Sequence, residues 1–197
     1  AGDHIEQSTG SCALPSFVEN YVKKTKRRVV AIHAGRGGKD ISKFQVGQVL
    51  YNDIVTKTSA CFDYINKSPY ITVGRKFYIM VQGESDTSTT FTREDYITRY
   101  LAFHNSLKSK FNFEFGGLLT IGRNSALNAQ GIMKICQAKY EVAMKKDDII
   151  MVGNEPLDYY LNHKNLMLAD NVHYNAEAQK GLGESMCLNT ISYMGYD

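Results

Sequence analysis

The stretch FYIMVQGESD, residues 77–86, decides the fold of this chain. Its first five residues are mostly apolar, and they run without a break into the polar segment QGESD at residues 82–86. A short continuous apolar run is typical of a strand that is buried on both faces of a parallel sheet. In such sheets ligands bind at the carboxyl ends of the strands. The stretch therefore predicts an α/β fold with a functional loop at residues 82–86.

Three other short apolar runs have the same character: VVAIHA (29–34), GGLLTI (116–121) and DIIMV (148–152). Apolar residues at helical spacing predict an early stripe of Phe17, Tyr21 and Val22, and helices at 46–65, 93–111, 126–144 and 176–191. Alternating strands and helices indicate a mostly parallel sheet covered on both faces, which is a three-layer α/β/α sandwich. With 197 residues and no linker, repeat or low-complexity segment, we expect a single domain over residues 1–197.

Composition argues against several classes of partner. The net charge of +3 is too small to favour nucleic acid, and the basic run KKTKRR at 23–28 contains no aromatic residue for base stacking. No apolar run approaches the roughly 20 residues of a membrane span. The four cysteines are scattered and form no CxxC pair, which predicts free thiols and no zinc site. We therefore expect no nucleic acid, no membrane, no metal and no cofactor.

Two further polar segments accompany QGESD. AGRGGKD (34–40) follows the run VVAIHA, so it is expected on the same edge of the sheet. Asp170 and His173 lie three residues apart before the last helix, and Asn175 is suited to cap that helix. A carboxylate beside a histidine can fix its tautomer and leave the other ring nitrogen as a general base. Taken alone, an Asp and a His at this spacing also occur by chance in a surface loop.

Taken together, the three segments resemble the SGNH hydrolases, and most closely their sialate O-acetylesterase-like and plant carbohydrate-esterase branch. That branch has a GGTSI-type, a WHQGESD-type and a DxxHxxxxGQ-type segment. Here these read GGKDI (37–41), VQGESD (81–86) and DNVHYNAEAQ (170–179), in the same order and over nearly the whole chain. Three positions depart from the pattern, which bears on substrate detail more than on class: Lys39 for Thr, Val81 for His and Ala178 for Gly.

The resemblance implies a flavodoxin-like sheet and a role for each residue of a Ser-His-Asp site. His173 would be the base and Asp170 its orienting partner. A backbone N–H of Gly37 or Gly38 would donate to the oxyanion, because a loop without Cβ atoms lets the backbone approach closely. Gln82 would supply a side-chain donor to the same oxyanion or to the substrate.

The neighbouring positions complete the set of substrate-side candidates. Gly83 and Glu84 continue the loop that begins at Gln82, and we expect Glu84 and Asp86 to brace the loops. A rival interpretation makes Glu84 and Asp86 a carboxylate pair for glycoside cleavage, but residues i and i+2 of one loop rarely face each other across a bond. Arg123 follows the third apolar run and is expected either to contact a sugar or its carboxylate, or to serve loop structure.

The nucleophile poses a separate question. In the family a serine follows a first strand that lies ahead of the glycine loop, yet no apolar strand precedes residues 29–34. Gln7-Ser8 echoes the family's serine motif and makes Ser8 a candidate. In a sheet of order 2-1-3-4-5, strand 1 is central, and leaving that place empty would cost about 1–3 kcal/mol for each buried unpaired backbone group. We therefore expect an N-terminal fragment that carries both the strand and the serine.

These arguments predict an esterase that removes O-acetyl (acyl) groups from a carbohydrate. It would be a carboxylic ester hydrolase of the carbohydrate O-acetylesterase type, with an acetylated carbohydrate as substrate. An extracellular setting, or a place in a secreted or phage tail protein, is favoured. Two alternatives remain open at this point: an inactive carbohydrate-binding domain of the same fold, and a hydrolase of lipid or other small esters.

Overall fold

A computed structural model describes residue 4, residues 12–122 and residues 124–196 of the chain. Within those residues there are six α-helices and three strands, in the order α1, α2, β1, α3, β2, α4, β3, α5, α6. The helices are α1 Leu14–Thr25, α2 Val49–Asn66, α3 Arg93–Phe111, α4 Ala129–Lys145, α5 Pro156–Asn162 and α6 Ala176–Tyr193. The strands are β1 Phe77–Met80, β2 Phe115–Leu119 and β3 Ile149–Gly153. Short 3-10 helices span Ile41–Phe44, Glu84–Ser88 and Lys164–Leu166.

The three strands form one parallel sheet in the order β1-β2-β3. Phe77 pairs with Phe115 and Met80 with Leu118, so β1 and β2 end side by side. The register between β2 and β3 shifts at Leu118 and Leu119. All five residues of β2 are buried, as expected for a strand with a neighbour on each side. The carboxyl ends of all three strands therefore lie along one edge of the sheet.

Two apolar clusters cover the two faces of the sheet. One face packs against α2, α3 and α4 through residues such as Leu50, Tyr100 and Ile135. The other face packs against α1 and α6 through residues such as Phe17 and Leu182. The predicted three-layer α/β/α sandwich is confirmed.

Local caps fix where the helices next to the sheet edge begin. Thr92 and Asp95 form a capping box at the start of α3. Asn128 accepts a hydrogen bond from the N–H of Gly131 and starts α4 three residues later than the apolar spacing predicts. Asn175 accepts from the N–H of Ala178 at 3.0 Å, so the predicted cap of α6 is confirmed. Each cap also ends the loop that precedes its helix.

The prediction of a strand at residues 29–34 is wrong, because this segment is not a strand in the structure. An extended segment becomes a strand only when a neighbour accepts and donates its ladder hydrogen bonds. Among the described residues, β1 pairs with β2 alone and segment 29–34 joins no β-ladder. Val30 is 59% exposed, and Phe77 to Ile79 are only half-buried, in contrast to β2. The outer edge of β1 thus has no partner within the described part of the chain.

Other differences from the sequence predictions are small. The remaining strands agree within two residues, whereas the short helix α5 was not predicted. All four cysteines are free thiols, as expected, and two of them are buried. No helix in the described part of the chain has the length and apolar character needed to cross a membrane.

Candidate active site

Four loops meet at the carboxyl edge of the sheet. We call residues 82–86 the QGESD loop, residues 35–41 the glycine loop, residues 120–128 the β2 loop and residues 167–175 the histidine loop. The QGESD loop follows β1 after Val81, the β2 loop follows β2 directly, and the histidine loop precedes α6. Along this edge, which we call the rim, hydrogen bonds join the glycine loop to the QGESD loop and the histidine loop to the β2 loop.

Asp86 fastens the glycine loop to the QGESD loop. Its carboxylate is fully buried and accepts from the N–H of Ile41 at 3.0 and 3.2 Å. Burial raises the pKa of Asp86, while the hydrogen bonds from Ile41 and Gln82 oppose that shift. The expectation that Asp86 braces the loops is confirmed. A carboxylate with no exposed surface has no access to a glycosidic bond, which argues against a glycosidase pair with Glu84.

Gln82 also binds within the protein. Its side chain is 7% exposed, and its amide nitrogen donates to the carbonyl of Lys39 at 3.2 Å and to Asp86. Its side-chain oxygen accepts from the hydroxyl of Tyr96 at 3.1 Å. Both amide hydrogens therefore have acceptors in this structure. If Gln82 donated to an oxyanion, its hydrogen bond to the carbonyl of Lys39 would have to break. The sequence did not predict this hydrogen bond.

The turn of the glycine loop is open to solvent. Gly37 and Gly38 are exposed, and Gly38 has a φ of +69°, a conformation that glycine adopts without steric cost. Asp40 then accepts from the N–H of Ser42 at 2.9 Å and begins the short helix Ile41–Phe44. Because Ile41 is held by Asp86, the turn is anchored immediately behind its two glycines.

His173 and Asp170 form the predicted hydrogen-bonded pair. His173 Nδ1 lies 2.7 Å from Asp170 Oδ2, and Asp170 Oδ1 accepts from the N–H groups of Val172 and His173 at 2.9 and 3.0 Å. The His173 side chain is 72% exposed. The hydrogen bond from the His173 side chain is the largest cause that lowers the pKa of Asp170, and the two backbone hydrogen bonds add to it, which brings that pKa to about 2. Asp170 is therefore ionised at any pH above about 4, and the pair is lost as the pH falls toward 2.

Contacts with the β2 loop hold the histidine loop at the rim. The N–H of Leu168 donates to the carbonyl of His173 at 2.7 Å, and Met167 forms an antiparallel bridge with Tyr174. The N–H of Ser125 donates to the carbonyl of Asn171 at 3.2 Å. The backbone of Gly122 is hydrogen-bonded to the hydroxyl of Tyr174, whose pKa is raised by burial and then by the charge of Glu84. The histidine loop thus lies next to the ends of β1 and β2.

Lys139 is a buried cation at this edge that sequence reasoning missed. Its side chain is 1% exposed, and its Nζ donates to the carbonyl of Leu119 at 2.7 Å and to the carbonyl of Gln82. Burial lowers the pKa of Lys139 to about 8, and the charge of Glu84 opposes that shift. A signal was present, since Lys139 falls four residues after Ile135 on the apolar face of α4.

Two predicted site residues, Ser8 and Arg123, lie outside the described residues. Of the other candidates, Gln82 contacts the loop that contains Gly37 and Gly38, and Asp170 pairs with His173 in the histidine loop. In the part of the chain that is described, no group of three or more His, Cys, Asp or Glu side chains could hold a metal ion.

Solved structures with the same fold come from plants and fungi. A protein of Arabidopsis thaliana is 20% identical with a TM-score of 0.66, and the match covers 91% of this chain and 66% of that one. The chain therefore spans just under two thirds of the plant protein. A carbohydrate esterase family 3 structure from Talaromyces cellulolyticus is 13% identical with a TM-score of 0.65, and the match covers 95% of this chain and 93% of that one.

A third structure is a serine-to-alanine variant of an acetyl esterase with an acetate ion. It is 13% identical with a TM-score of 0.66, and the match covers 95% of this chain and 93% of that one. At these identities the likeness concerns the fold. No curated protein matches the chain.

The family comparison is more specific. The model of the family described as "Carbohydrate esterase, sialic acid-specific acetylesterase" matches residues 4–192. This family consists of carboxylic ester hydrolases of the acetylesterase type, and its match includes all four loops of the rim. Since the match spans nearly the whole chain, the protein belongs to the sialic acid-specific acetylesterase family of carbohydrate esterases.

Proposed function

We propose that the protein hydrolyses O-acetyl esters of a carbohydrate by a Ser-His-Asp mechanism. The observation that carries this proposal is the His173–Asp170 pair, in which Nδ1 is held at 2.7 Å and the exposed ring leaves Nε2 for a substrate-side proton. An ionised Asp170 favours the tautomer with hydrogen on Nδ1. His173 Nε2 then has a lone pair and can act as a general base.

The proposed reaction has two halves. The serine Oγ attacks the carbonyl carbon of the ester while His173 Nε2 takes the hydroxyl proton, and the oxyanion accepts a hydrogen bond from a backbone N–H of the glycine loop, that of Gly37 or Gly38. The tetrahedral intermediate collapses, and the sugar oxygen leaves with the proton from His173. Water then attacks the acetyl-serine with His173 again as base, which releases acetate and restores the serine.

The open edge of β1 supports a proposal for the position of the serine. Among the described residues that edge joins no β-ladder, and segment 29–34 is not a strand. We infer that one additional strand lies between them, pairs with both and ends at the same rim as Gln82. We propose that an N-terminal fragment supplies this strand and the nucleophilic serine, and that the domain is a flavodoxin-like sheet once the strand is in place.

A substrate panel tests the proposed function. Acetate release would be measured from O-acetylated sialic acid, from other acetylated sugars and from p-nitrophenyl esters of increasing acyl length. We expect the highest kcat/KM on an acetylated sugar. Binding of the sugar without acetate release would instead indicate an inactive binding domain. A preference for long acyl chains without a sugar would indicate a lipid or small-ester hydrolase.

The variant Asp170→Asn tests the role of the carboxylate. The N–H groups of Val172 and His173 would select the amide oxygen, which turns the amide NH2 toward His173 Nδ1. Nδ1 must then accept, Nε2 carries the hydrogen, and the base is lost. We expect kcat to fall about 10²–10⁴-fold with little change in stability.

The matched control is Asp158→Asn, because Asp158 pairs with another exposed histidine, His163, at 3.1 Å. This control should keep the activity of the natural protein. Equal activity of the Asp158 and Asp170 variants would contradict the proposed role of Asp170.

A further inference from the structure

We propose that Lys139 is a positioning residue for the reaction, whose ammonium group holds the QGESD loop against the end of β2 and thereby sets the glycine loop. This inference rests on the proposed function for its link to catalysis. Its structural part stands on the contacts of Lys139 alone. The ammonium group of Lys139 lies on the core side of the rim and cannot touch a substrate.

The contacts of Lys139 replace ladder hydrogen bonds that the sheet lacks. The paired region of β1 and β2 ends at Met80 and Leu118, one or two residues before the carbonyls of Gln82 and Leu119. Lys139 Nζ donates to both of those carbonyls, at 2.7 Å in the case of Leu119. One ammonium group therefore joins the two strands beyond the point where their backbones separate.

Hydrogen bonds connect Lys139 to the glycine loop through Gln82. The main chain of Gln82 is held by Lys139, and the side chain of Gln82 donates to the carbonyl of Lys39 and to Asp86. Asp86 in turn accepts from the N–H of Ile41. A shift of Gln82 would therefore be transmitted to Lys39 and, through Asp86, to Ile41, which are the residues just after the two glycines.

The surroundings of Lys139 favour a charged donor that is held in place. The charged and titratable groups that act on it are Glu84 and Asp86 of the QGESD loop and Cys136 of its own helix, and Tyr96 of α3 donates to the side chain of Gln82. Ile121 and Ile135 close the space around Gly83, beside Nζ. Because burial lowers the pKa of Lys139 to about 8, its charge is lost within the range in which esterases are assayed. Loss of that charge would weaken both carbonyl contacts.

The first test uses Lys139→Met, which keeps the length of the side chain and removes its donors, and Lys139→Arg, which keeps the charge. We expect Lys139→Met to lower kcat for acetate release about 10- to 100-fold with KM within about twofold, as a small displacement of reacting groups does. The control is Lys145→Met on the same helix, where Nζ is exposed and bonds Glu141. This control should behave like the natural protein.

The pH profile separates positioning from a general loss of stability. In the natural protein kcat should decline as the pH rises through about 8, the pKa of Lys139. Lys139→Arg should lack this decline, because a guanidinium group stays charged throughout that range. If Lys139→Met does not fold, the pH profiles of the natural protein and of Lys139→Arg are sufficient to test the inference. An unchanged decline in the Arg variant, or a natural kcat in a folded Met variant, would overturn the inference.

Amide hydrogen exchange tests the structural part without any activity. In folded Lys139→Met we expect faster exchange at the N–H of Ile41 and at that of Asp86, which donates to the carbonyl of Gly83 at 3.0 Å. Exchange at Tyr100 in the middle of α3 should not change. If the natural protein releases no acetate but these amides respond, the proposed function fails while the structural role of Lys139 holds. If the amides do not respond, the inference itself is wrong.

Discussion

The variant His173→Ala is expected to release acetate about 10²–10⁴-fold more slowly than the natural protein, with no loss of folding. The ring of His173 is 72% exposed, so its removal opens no cavity in the core. What is lost is the nitrogen that takes the serine proton and returns it to the leaving sugar oxygen. The measurement is kcat on an O-acetylated sugar, together with thermal unfolding followed by circular dichroism.

His163→Ala is the matched control for this variant. His163 is 51% exposed and pairs with Asp158 at 3.1 Å, so it has the same chemistry at another place on the surface. It should keep the natural kcat. Near-normal turnover by His173→Ala would refute the assignment of the base, whatever His163→Ala does.

The second large effect is expected on stability, in the variant Gly83→Ala. Gly83 has a φ of +136°, and a Cβ added there would lie 2.8 Å from Ile135 Cγ2 and 2.9 Å from Ile121 Cγ2. The strained backbone and the overpacking should together destabilise the fold by about 2–5 kcal/mol. For a chain of this size that corresponds to a drop in Tm of about 5–15 °C.

Gly47→Ala separates the two causes. Gly47 also has a positive φ, +87°, but no atom lies within 4 Å of the position where its Cβ would be. This variant should carry the backbone strain alone and cost only about 1–2 kcal/mol. If both variants unfold at the same temperature, the close approach of Ile121 and Ile135 to Gly83 does not limit stability.

The parts of the fold that depend on local pattern could be predicted from the sequence. The run FYIMV predicts a strand because a strand between two helix layers is apolar along its whole length, and β1 spans Phe77–Met80 of that run. The run VVAIHA has the same character, yet residues 29–34 form no strand. A segment forms a strand only if another strand lies beside it, and among the described residues no strand lies on the outer side of β1. Sequence pattern alone cannot supply that information.

In the candidate site, too, contacts between residues close in sequence could be predicted, whereas contacts between distant residues could not. Asp170, His173 and Asn175 lie within six residues, so their hydrogen bonds follow from short-range geometry. Lys139 is 57 residues from Gln82 in the sequence, and only the packing of α4 beneath the rim brings them together. The inward hydrogen bonds of the Gln82 side chain likewise depend on Lys39, 43 residues away.

Labelling with a fluorophosphonate that reacts with activated serines tests the central claim most directly, namely a serine nucleophile served by His173. The whole protein, with any polypeptide that purifies with it, would be labelled and the modified peptide identified by mass spectrometry. We expect one labelled serine outside residues 12–197, on the fragment that pairs with β1, and no labelling in His173→Ala. An active protein that takes up no label, or equal labelling of the natural protein and His173→Ala, would contradict the account.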